Sequence, residues 1–208
     1  MDRNDALNVF HVLLLEWWKS KRRSFPWRGD DIPPYRLLVT EMLLWKTRAE
    51  TVASIWDRFF MRFPDVETLS RASEKEIDDV IVSLGLAKRA GCLREMAQKI
   101  IKEHDGEVPT KKDDLLGLMG IGEYAASAMM CFAFDRDEAI LDANVRRILM
   151  RVFGCEEDEV GRLAEDLVPR DAGPEWGYAL LDLGAFACRY KPQCKECPLV
   201  TVCVTGSR

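Results

Sequence analysis

The sequence has few histidines and no long apolar run. The two histidines, His11 and His104, are too few for most zinc enzymes built on histidine ligands. No run of eighteen apolar residues occurs, which excludes a conventional membrane-spanning helix. The N-terminus lacks a basic region followed by an apolar core, so we expect no secretory signal and a cytoplasmic protein. With 48% apolar and 31% charged residues, the chain of 208 residues is neither disordered nor fibrous.

Apolar residues recur at helical spacing almost throughout, and no segment alternates in the way of a half-buried strand. Ser73 and Glu76 predict a capping box, Asp142 an N-cap, and Gly154 the end of a helix. Helices are predicted at about 5–19, 35–45, 48–60, 73–85, 87–104, 110–120, 123–134, 143–153 and 174–187. The pattern therefore predicts an all-α fold.

The basic residues are segregated along the chain. The net charge of −5 argues against a nucleic-acid partner when it is taken alone. However, 16 of the 30 basic residues, with a single acidic residue among them, lie in four segments, 19–28, 86–102, 146–151 and 189–195. One such run is usually a solvated face, but four in an acidic chain favour a basic face that binds a polyanion.

Four of the seven cysteines crowd the last 21 residues, in the spacing Cys188-x5-Cys194-x2-Cys197-x5-Cys203. In a reducing compartment this spacing indicates a metal centre rather than disulfides. One CxxC pair with longer arms favours a [4Fe–4S] cluster over zinc, and a loop without metal stays a third possibility. We expect the cluster to stabilise the loop, because no flavin or nicotinamide site accompanies it.

Two glycines, Gly120 and Gly122, lie between two predicted helices and flank Ile121. They allow a tight hairpin in which Ile121 packs back against the helices. The backbone N–H groups at the start of the second helix would then point outward, where they could bind a phosphate. The alternative is a turn with no ligand.

Two carboxylates are candidates for chemistry. Asp142 could be a simple N-cap, or it could face a cleft, stabilise positive charge on a sugar ring and orient water. Arg146 and Arg147 follow it and would then contact phosphates. Glu41 lies within an apolar helix, where a carboxylate is costly unless it has a partner or a function.

These motifs occur together in one family. The motifs in chain order are FPWR at 25–28, TEMLL at 40–44, LGL at 84–86, LMGIG at 118–122, LDANVRR at 141–147 and the cysteine loop. From residue 25 to 203 the chain resembles the helix-hairpin-helix DNA glycosylases with a C-terminal iron–sulfur loop. That family includes endonuclease III, the mismatch adenine glycosylases and the archaeal-type G·T mismatch thymine glycosylases.

The resemblance implies a fold of two helical lobes with a DNA-binding cleft between them. The first lobe, 25–137, would have six helices and contain the hairpin. The second, 1–24 with 138–208, would end in the iron–sulfur loop at 188–203. The implied partner is double-stranded DNA with a mismatched or damaged base, with no membrane involved. The protein would act as a monomer associated with the nucleoid.

The resemblance also implies roles for single residues. Asp142 matches the catalytic aspartate, and Glu41 matches the glutamate of the base pocket. Tyr124 takes the place of the Schiff-base lysine of endonuclease III, so we expect a monofunctional enzyme in which its ring reaches the same cleft as Asp142. The alternative for Tyr124 is a core position. The implied DNA-binding residues are Gly120, Gly122, Leu86 as the wedge in the duplex, Arg146, Arg147, Lys46, Trp45 and Asn144.

Three functions remain open at this point. The first is a mismatch thymine or uracil glycosylase, favoured by Tyr124. The second is an adenine mismatch glycosylase, which is disfavoured because Trp45 and Lys46 replace paired glutamines and because only five residues follow Cys203. The third is a non-catalytic iron–sulfur DNA-binding module, disfavoured by the presence of both Asp142 and Glu41.

The cysteine loop differs from those of familiar relatives in one spacing. Five residues separate Cys188 from Cys194, whereas six separate the first two cysteines in those relatives.

Overall fold

The computed structural model describes residues 3–29, 31–85 and 88–206. These ranges contain α-helices, short 3₁₀ helices, turns and loops, and they contain no strand. The predicted all-α fold is confirmed. None of the helices in these ranges is both long and apolar enough to cross a membrane.

The chain divides into two compact units. The continuous unit is Ser24–Phe134, and the discontinuous unit joins Met1–Arg23 to Asp135–Arg208. Each unit has its own cluster of buried apolar side chains. The lobes predicted from the sequence, 25–137 and 1–24 with 138–208, have nearly the same boundaries, and the cleft between them stays a prediction.

The continuous unit contains seven α-helices in its described part. They are α2 (Pro34–Leu44), α3 (Ala49–Arg62), α4 (Val66–Arg71), α5 (Glu74–Ile81), α6 (Arg89–Glu103), α7 (Lys112–Leu116) and α8 (Glu123–Phe132). Helix α8 packs against α2 and α7. It buries small and flexible side chains, among them Ala126, Ala128 and Met129, which lets its neighbours approach closely.

Helix α4 is absent from the sequence prediction, which expected six helices in this lobe. Its six residues are too short to show a helical period, although Val66 and Leu69 are both buried. Its N-cap is Asp65, whose carboxylate accepts a hydrogen bond from the Thr68 N–H at 2.7 Å. Hydrogen bonds from the Thr68 side chain and then from this N–H hold the pKa of Asp65 below its usual value. The capping box predicted at Ser73 is present at the start of α5.

The discontinuous unit contains α1 (Arg3–Lys21), α9 (Ala143–Phe153), α10 (Val160–Asp166) and α11 (Gly173–Phe186) in its described part. Helix α11 packs against both α1 and α9, and α10 packs against α9. Fully buried Asp182 of α11 accepts hydrogen bonds from the Trp18 indole at 2.9 Å and from Arg23 Nε at 2.7 Å. This buried ion pair fixes the end of the N-terminal segment, and it commits Arg23, a member of the first basic run, to a partner within the protein.

Candidate nucleic-acid interface and cysteine loop

The hairpin between α7 and α8 has the geometry that its sequence predicts. Leu118 and Ile121 are buried, and the Ile121 N–H donates to the Leu118 carbonyl at 3.2 Å. Gly120 and Gly122 on either side are exposed. The apolar residues therefore pack into the continuous unit while the glycine backbone faces solvent.

The two glycines are needed for different reasons. Gly120 has φ +82°, and a Cβ there would lie 2.9 Å from Met42 Cε. A side chain at Gly120 would therefore strain the backbone, and the end of the Met42 side chain would have to move. Gly122 has an extended backbone, and a Cβ there would meet no atom within 4 Å. Gly122 leaves open space at the N-terminus of α8, where the first N–H groups of a helix lack partners within the helix.

Asp142 is the N-cap of α9. Its Oδ1 accepts hydrogen bonds from the N–H groups of Asn144 at 2.8 Å and Val145 at 2.7 Å. Its Oδ2 accepts one from the Asn144 side-chain amide at 2.7 Å. The carboxylate is half-buried and is held by three donors at the positive end of the helix dipole. Negative charge is thus fixed at one place and in one orientation.

A chain of hydrogen bonds leads from Asp142 to the cysteine loop. The Asn144 side-chain oxygen accepts from Arg147 Nη2 at 2.7 Å, and Arg147 Nε donates to the Cys188 carbonyl at 2.9 Å. Gly184 of α11 leaves room for Asn144, because a Cβ on Gly184 would lie 2.7 Å from the Asn144 Cβ. Asn144 and Arg147 therefore connect the carboxylate to the first cysteine through contacts that the sequence does not reveal.

The other arginines of α9 also have partners within the protein. Arg146 forms an exposed ion pair with Glu157 at 2.7 Å. Arg151 donates to the carbonyls of Arg189 at 2.6 Å and Tyr190 at 3.1 Å. It holds the backbone of the loop in place, a role that the sequence interpretation missed because it counted Arg151 only as positive charge.

The four cysteines of the C-terminal segment line one pocket. Cys188, Cys194, Cys197 and Cys203 surround it together with apolar side chains of α9 and α11. The Arg151 guanidinium lies 3.6 Å from Cys188 Sγ, and the Gly206 N–H donates to Cys203 Sγ at 3.2 Å. The pKa of the Cys197 thiol is raised to about 11, first by burial and then by the charges of the other three sulfurs.

Four thiols with N–H donors around an apolar pocket form a donor set that suits an iron–sulfur cluster. A set of four cysteines also suits zinc. In the described ranges, no three His, Cys, Asp or Glu side chains are arranged as a metal-binding group. The structure therefore shows four cysteines that line one pocket, without a preformed coordination shell in the described ranges.

Three predicted site residues belong to the continuous unit. Glu41 is half-buried in α2, between buried Thr40 and Met42. Tyr124 is half-buried and is the second residue of α8, so the prediction of a position at the start of the second hairpin helix is correct. The predicted wedge, Leu86, lies outside the described residues.

Trp45 and Lys46 lie in an exposed turn that follows the end of α2. The Trp45 side chain is 56% exposed, and the Lys46 ammonium lies 5.4 Å from the centre of its ring. Lys46 has φ +52°, a left-handed conformation that is unusual for a lysine. This segment presents an aromatic ring and a cation to solvent, which are features that nucleic-acid-binding proteins use.

The position of Arg89 differs from the one predicted from the sequence. The second basic run was predicted to lie on the polyanion-binding face, but Arg89 is only 2% exposed. Its guanidinium donates to the carbonyls of Leu43 at 2.9 Å and Trp45 at 2.6 Å, and to the Thr47 hydroxyl at 2.9 Å. Burial lowers the pKa of this guanidinium. Charge alone could not distinguish it from its exposed neighbours, because no feature of the spacing marks a buried arginine.

Comparison with known proteins places the chain in a family. The sequence pattern of the HhH-GPD superfamily of base excision DNA repair proteins matches residues 39–170. The chain is 35% identical to a thymine/uracil-DNA glycosylase of Methanothermobacter thermautotrophicus, over 96% of this chain and 94% of that protein. It is 34% identical to an adenine DNA glycosylase of Mycolicibacterium smegmatis, over 93% of this chain and 68% of that protein.

A solved structure agrees with these relatives. The structure of a thermostable thymine-DNA glycosylase superimposes with a TM-score of 0.93, at 34% identity over 98% of each chain. The all-helical architecture thus has a counterpart in a solved structure that aligns along almost the whole length. The chain belongs to the HhH-GPD superfamily of base excision DNA repair proteins.

Proposed function

We propose that the protein is a monofunctional DNA glycosylase that hydrolyses the N-glycosidic bond of thymine or uracil mispaired with guanine. The observation that carries this proposal is the Asp142 carboxylate, held by three donors at the start of α9. It occurs in a chain that aligns along nearly its full length with a thymine/uracil-DNA glycosylase. A G·T or G·U pair is also easier to open than a matched pair, which favours extrusion of the base.

Asp142 supplies electrostatic stabilisation. Cleavage of the bond between base and sugar builds positive oxocarbenium character on the deoxyribose. A carboxylate that is already oriented stabilises this charge without reorganising during the reaction. The backbone N–H groups of Asn144 and Val145 set the orientation of Oδ1, and the Asn144 amide sets that of Oδ2. In the same proposal, Glu41 binds the imide N–H of the extruded base or protonates the base through water.

The proposed metal group is a [4Fe–4S] cluster held by Cys188, Cys194, Cys197 and Cys203. The pocket that these four residues share, with N–H donors directed at two of the sulfurs, supports this assignment. When bound, the cluster supplies cross-links between distant points of the loop rather than redox chemistry. Arg147 and Arg151 bind the same loop through its carbonyls, so the loop and α9 support each other. The proposed site of action is cytoplasmic, at the nucleoid.

The test of the function is single-turnover excision on duplexes that carry G·T, G·U, A·G, A·8-oxoguanine or thymine glycol. We expect excision from G·T and G·U, leaving an intact abasic strand that breaks only after alkali. Tyr124 explains the intact strand, because a phenol cannot form the imine that begins strand cleavage. Excision of adenine instead would favour the adenine glycosylase, and binding without excision of any base would favour a DNA-binding module. Borohydride trapping of the protein on its substrate would contradict the monofunctional assignment.

Duplex binding should depend strongly on salt despite the net charge of −5. If the basic segments and the hairpin neutralise about four phosphates, affinity should fall roughly 100-fold between about 50 and 200 mM salt. Lys46→Gln should reduce the slope of log affinity against log salt by about one. Lys75→Gln is the matched control, because Lys75 is highly exposed but pairs with Asp79 in an acidic helix. An affinity that stays flat over this range would remove the case for a basic face.

A further inference from the structure

Arg89 is a buried cation without an anionic partner. Among the residues that the structure describes, it is the only buried Lys or Arg, and no carboxylate lies within ion-pair distance of it. Its Nε has no hydrogen-bond partner there either. Burying a charge in this way is costly, and an apolar side chain of similar volume would often stabilise a core more. The charge is therefore offset only by the uncharged groups that accept its hydrogen bonds.

The acceptors of Arg89 lie at the C-terminal end of α2. The last carbonyls of a helix lack partners within the helix and carry partial negative charge. Arg89 Nη1 binds the carbonyl of Leu43, and Nη2 binds the carbonyl of Trp45 and the hydroxyl of Thr47. The Arg89 guanidinium thus contacts the end of α2 and the two residues on either side of Lys46.

The same contacts reach the segment before the predicted wedge. The Thr47 hydroxyl lies 3.5 Å from the Leu84 carbonyl, and Gly85 follows with φ +70°. Arg89 itself begins α6, three residues after Leu86. One guanidinium and one hydroxyl therefore connect the 45–47 segment to the residues that lead into the 86–88 segment.

We infer that Arg89 is a positioning residue that holds Trp45 and Lys46 in the conformation needed to engage the mispaired base and its flanking backbone. This inference rests on the proposed function and adds a determinant of specificity at the same site. Lys46 is in a left-handed conformation, which costs free energy for a residue with a Cβ and persists where the surrounding contacts hold it. Arg89 holds the Trp45 carbonyl on one side of Lys46 and the Thr47 hydroxyl on the other.

The first test replaces the guanidinium. Arg89→Met keeps the apolar stem and removes the fork, and Arg89→Lys keeps the charge but cannot span the same acceptors. We expect Arg89→Met to slow excision from G·T duplexes by about 10–100-fold, which is the cost of misplacing a contact near the reacting base. The rate for Arg89→Lys should lie between those of the wild type and Arg89→Met. Tyr35→Phe is the matched control, because it removes a buried hydrogen bond to the Phe63 carbonyl in the same unit. It should reduce stability and leave excision unchanged.

The second test asks whether Arg89 acts through Trp45. In a double-mutant cycle, Arg89→Met should have much less effect on excision in the Trp45→Ala background than in the wild-type background. Additive effects would contradict the inference. If Arg89→Met does not fold, Thr47→Val provides the same test. It removes one hydrogen-bond acceptor of Arg89 and leaves the two carbonyl acceptors in place. It should also slow excision.

A spectroscopic readout separates this inference from the proposed function. With 5-fluorotryptophan incorporated, the ¹⁹F resonance of Trp45 can be assigned by its loss in Trp45→Phe. We expect Arg89→Met and Thr47→Val to shift or broaden this resonance, and Tyr35→Phe to leave it in place. An unshifted resonance in both variants would overturn the inference even if the wild type excises thymine. Absence of excision by the wild type, with the shift present, would overturn the proposed function alone.

Discussion

Asp142→Asn should lower the rate of base excision by about 1000-fold while duplex binding is retained. An asparagine can still cap α9 through its side-chain oxygen, so the helix should form normally. What disappears is the negative charge that stabilises the oxocarbenium-like transition state, and the scale is that of removing a key electrostatic contact. The new amide would also oppose the Asn144 amide, which now donates to Oδ2 at 2.7 Å. Single-turnover rates at saturating protein measure the effect.

Stability cannot account for a loss of that size. An N-cap contributes about 1 kcal/mol, whereas a 1000-fold change in rate corresponds to about 4 kcal/mol. Asp65→Asn is the matched control, because Asp65 caps α4 through the same kind of bond to a backbone N–H. It should leave excision unchanged. A rate for Asp142→Asn within about tenfold of the wild type would move the catalytic role to another residue, with Glu41 the next candidate.

Cys197→Ser should abolish the iron content and destabilise the C-terminal loop. Protein purified without oxygen should be brown, with roughly four irons per chain, and the variant should be colourless. Loss of a metal is among the few changes that cost more than about 3 kcal/mol, which would lower Tm by roughly 10 °C in a chain of this size. DNA affinity should fall with loop order, because Arg151 holds the carbonyls of Arg189 and Tyr190 only where the loop is folded.

The control for the cysteine experiment lies in the same unit. Cys155 is half-buried, follows Gly154 and does not line the pocket of the four cysteines. Cys155→Ser should therefore keep both the colour and the iron content. Stoichiometric zinc in wild-type protein that contains no iron would show that the proposed cluster is wrong.

Local rules predicted the helices and their ends well. The capping box at Ser73, the N-cap at Asp142 and the left-handed Gly154 all depend on neighbours within a few residues, which the sequence displays directly. Helices α4 and α10 were missed, because six or seven residues do not establish a period. The hairpin was predictable for the same local reason, since Gly120 and Ile121 carry its geometry.

The charged residues were predicted less well. Arg89 and Arg151 were predicted to belong to a basic surface. However, Arg89 is buried against the end of α2, and Arg151 binds the backbone of the cysteine loop. Both bind backbone carbonyls, which are the same in every residue, so the sequence holds no signal for the partner. The link from Asn144 through Arg147 to Cys188 was hidden for the same reason. Such contacts depend on which segments the fold brings together.

The discontinuous unit has a consequence for biosynthesis. Phe10 and Leu14 of α1 are fully buried in a cluster whose other buried members lie between Val145 and Cys203. A ribosome therefore releases α1 more than a hundred residues before its packing partners, while the continuous unit Ser24–Phe134 can fold as soon as it emerges. For that interval the apolar face of α1 is exposed to chaperones and to neighbouring nascent chains. The last α-helix of the described chain, α11, ends this exposure, because α1 packs against it.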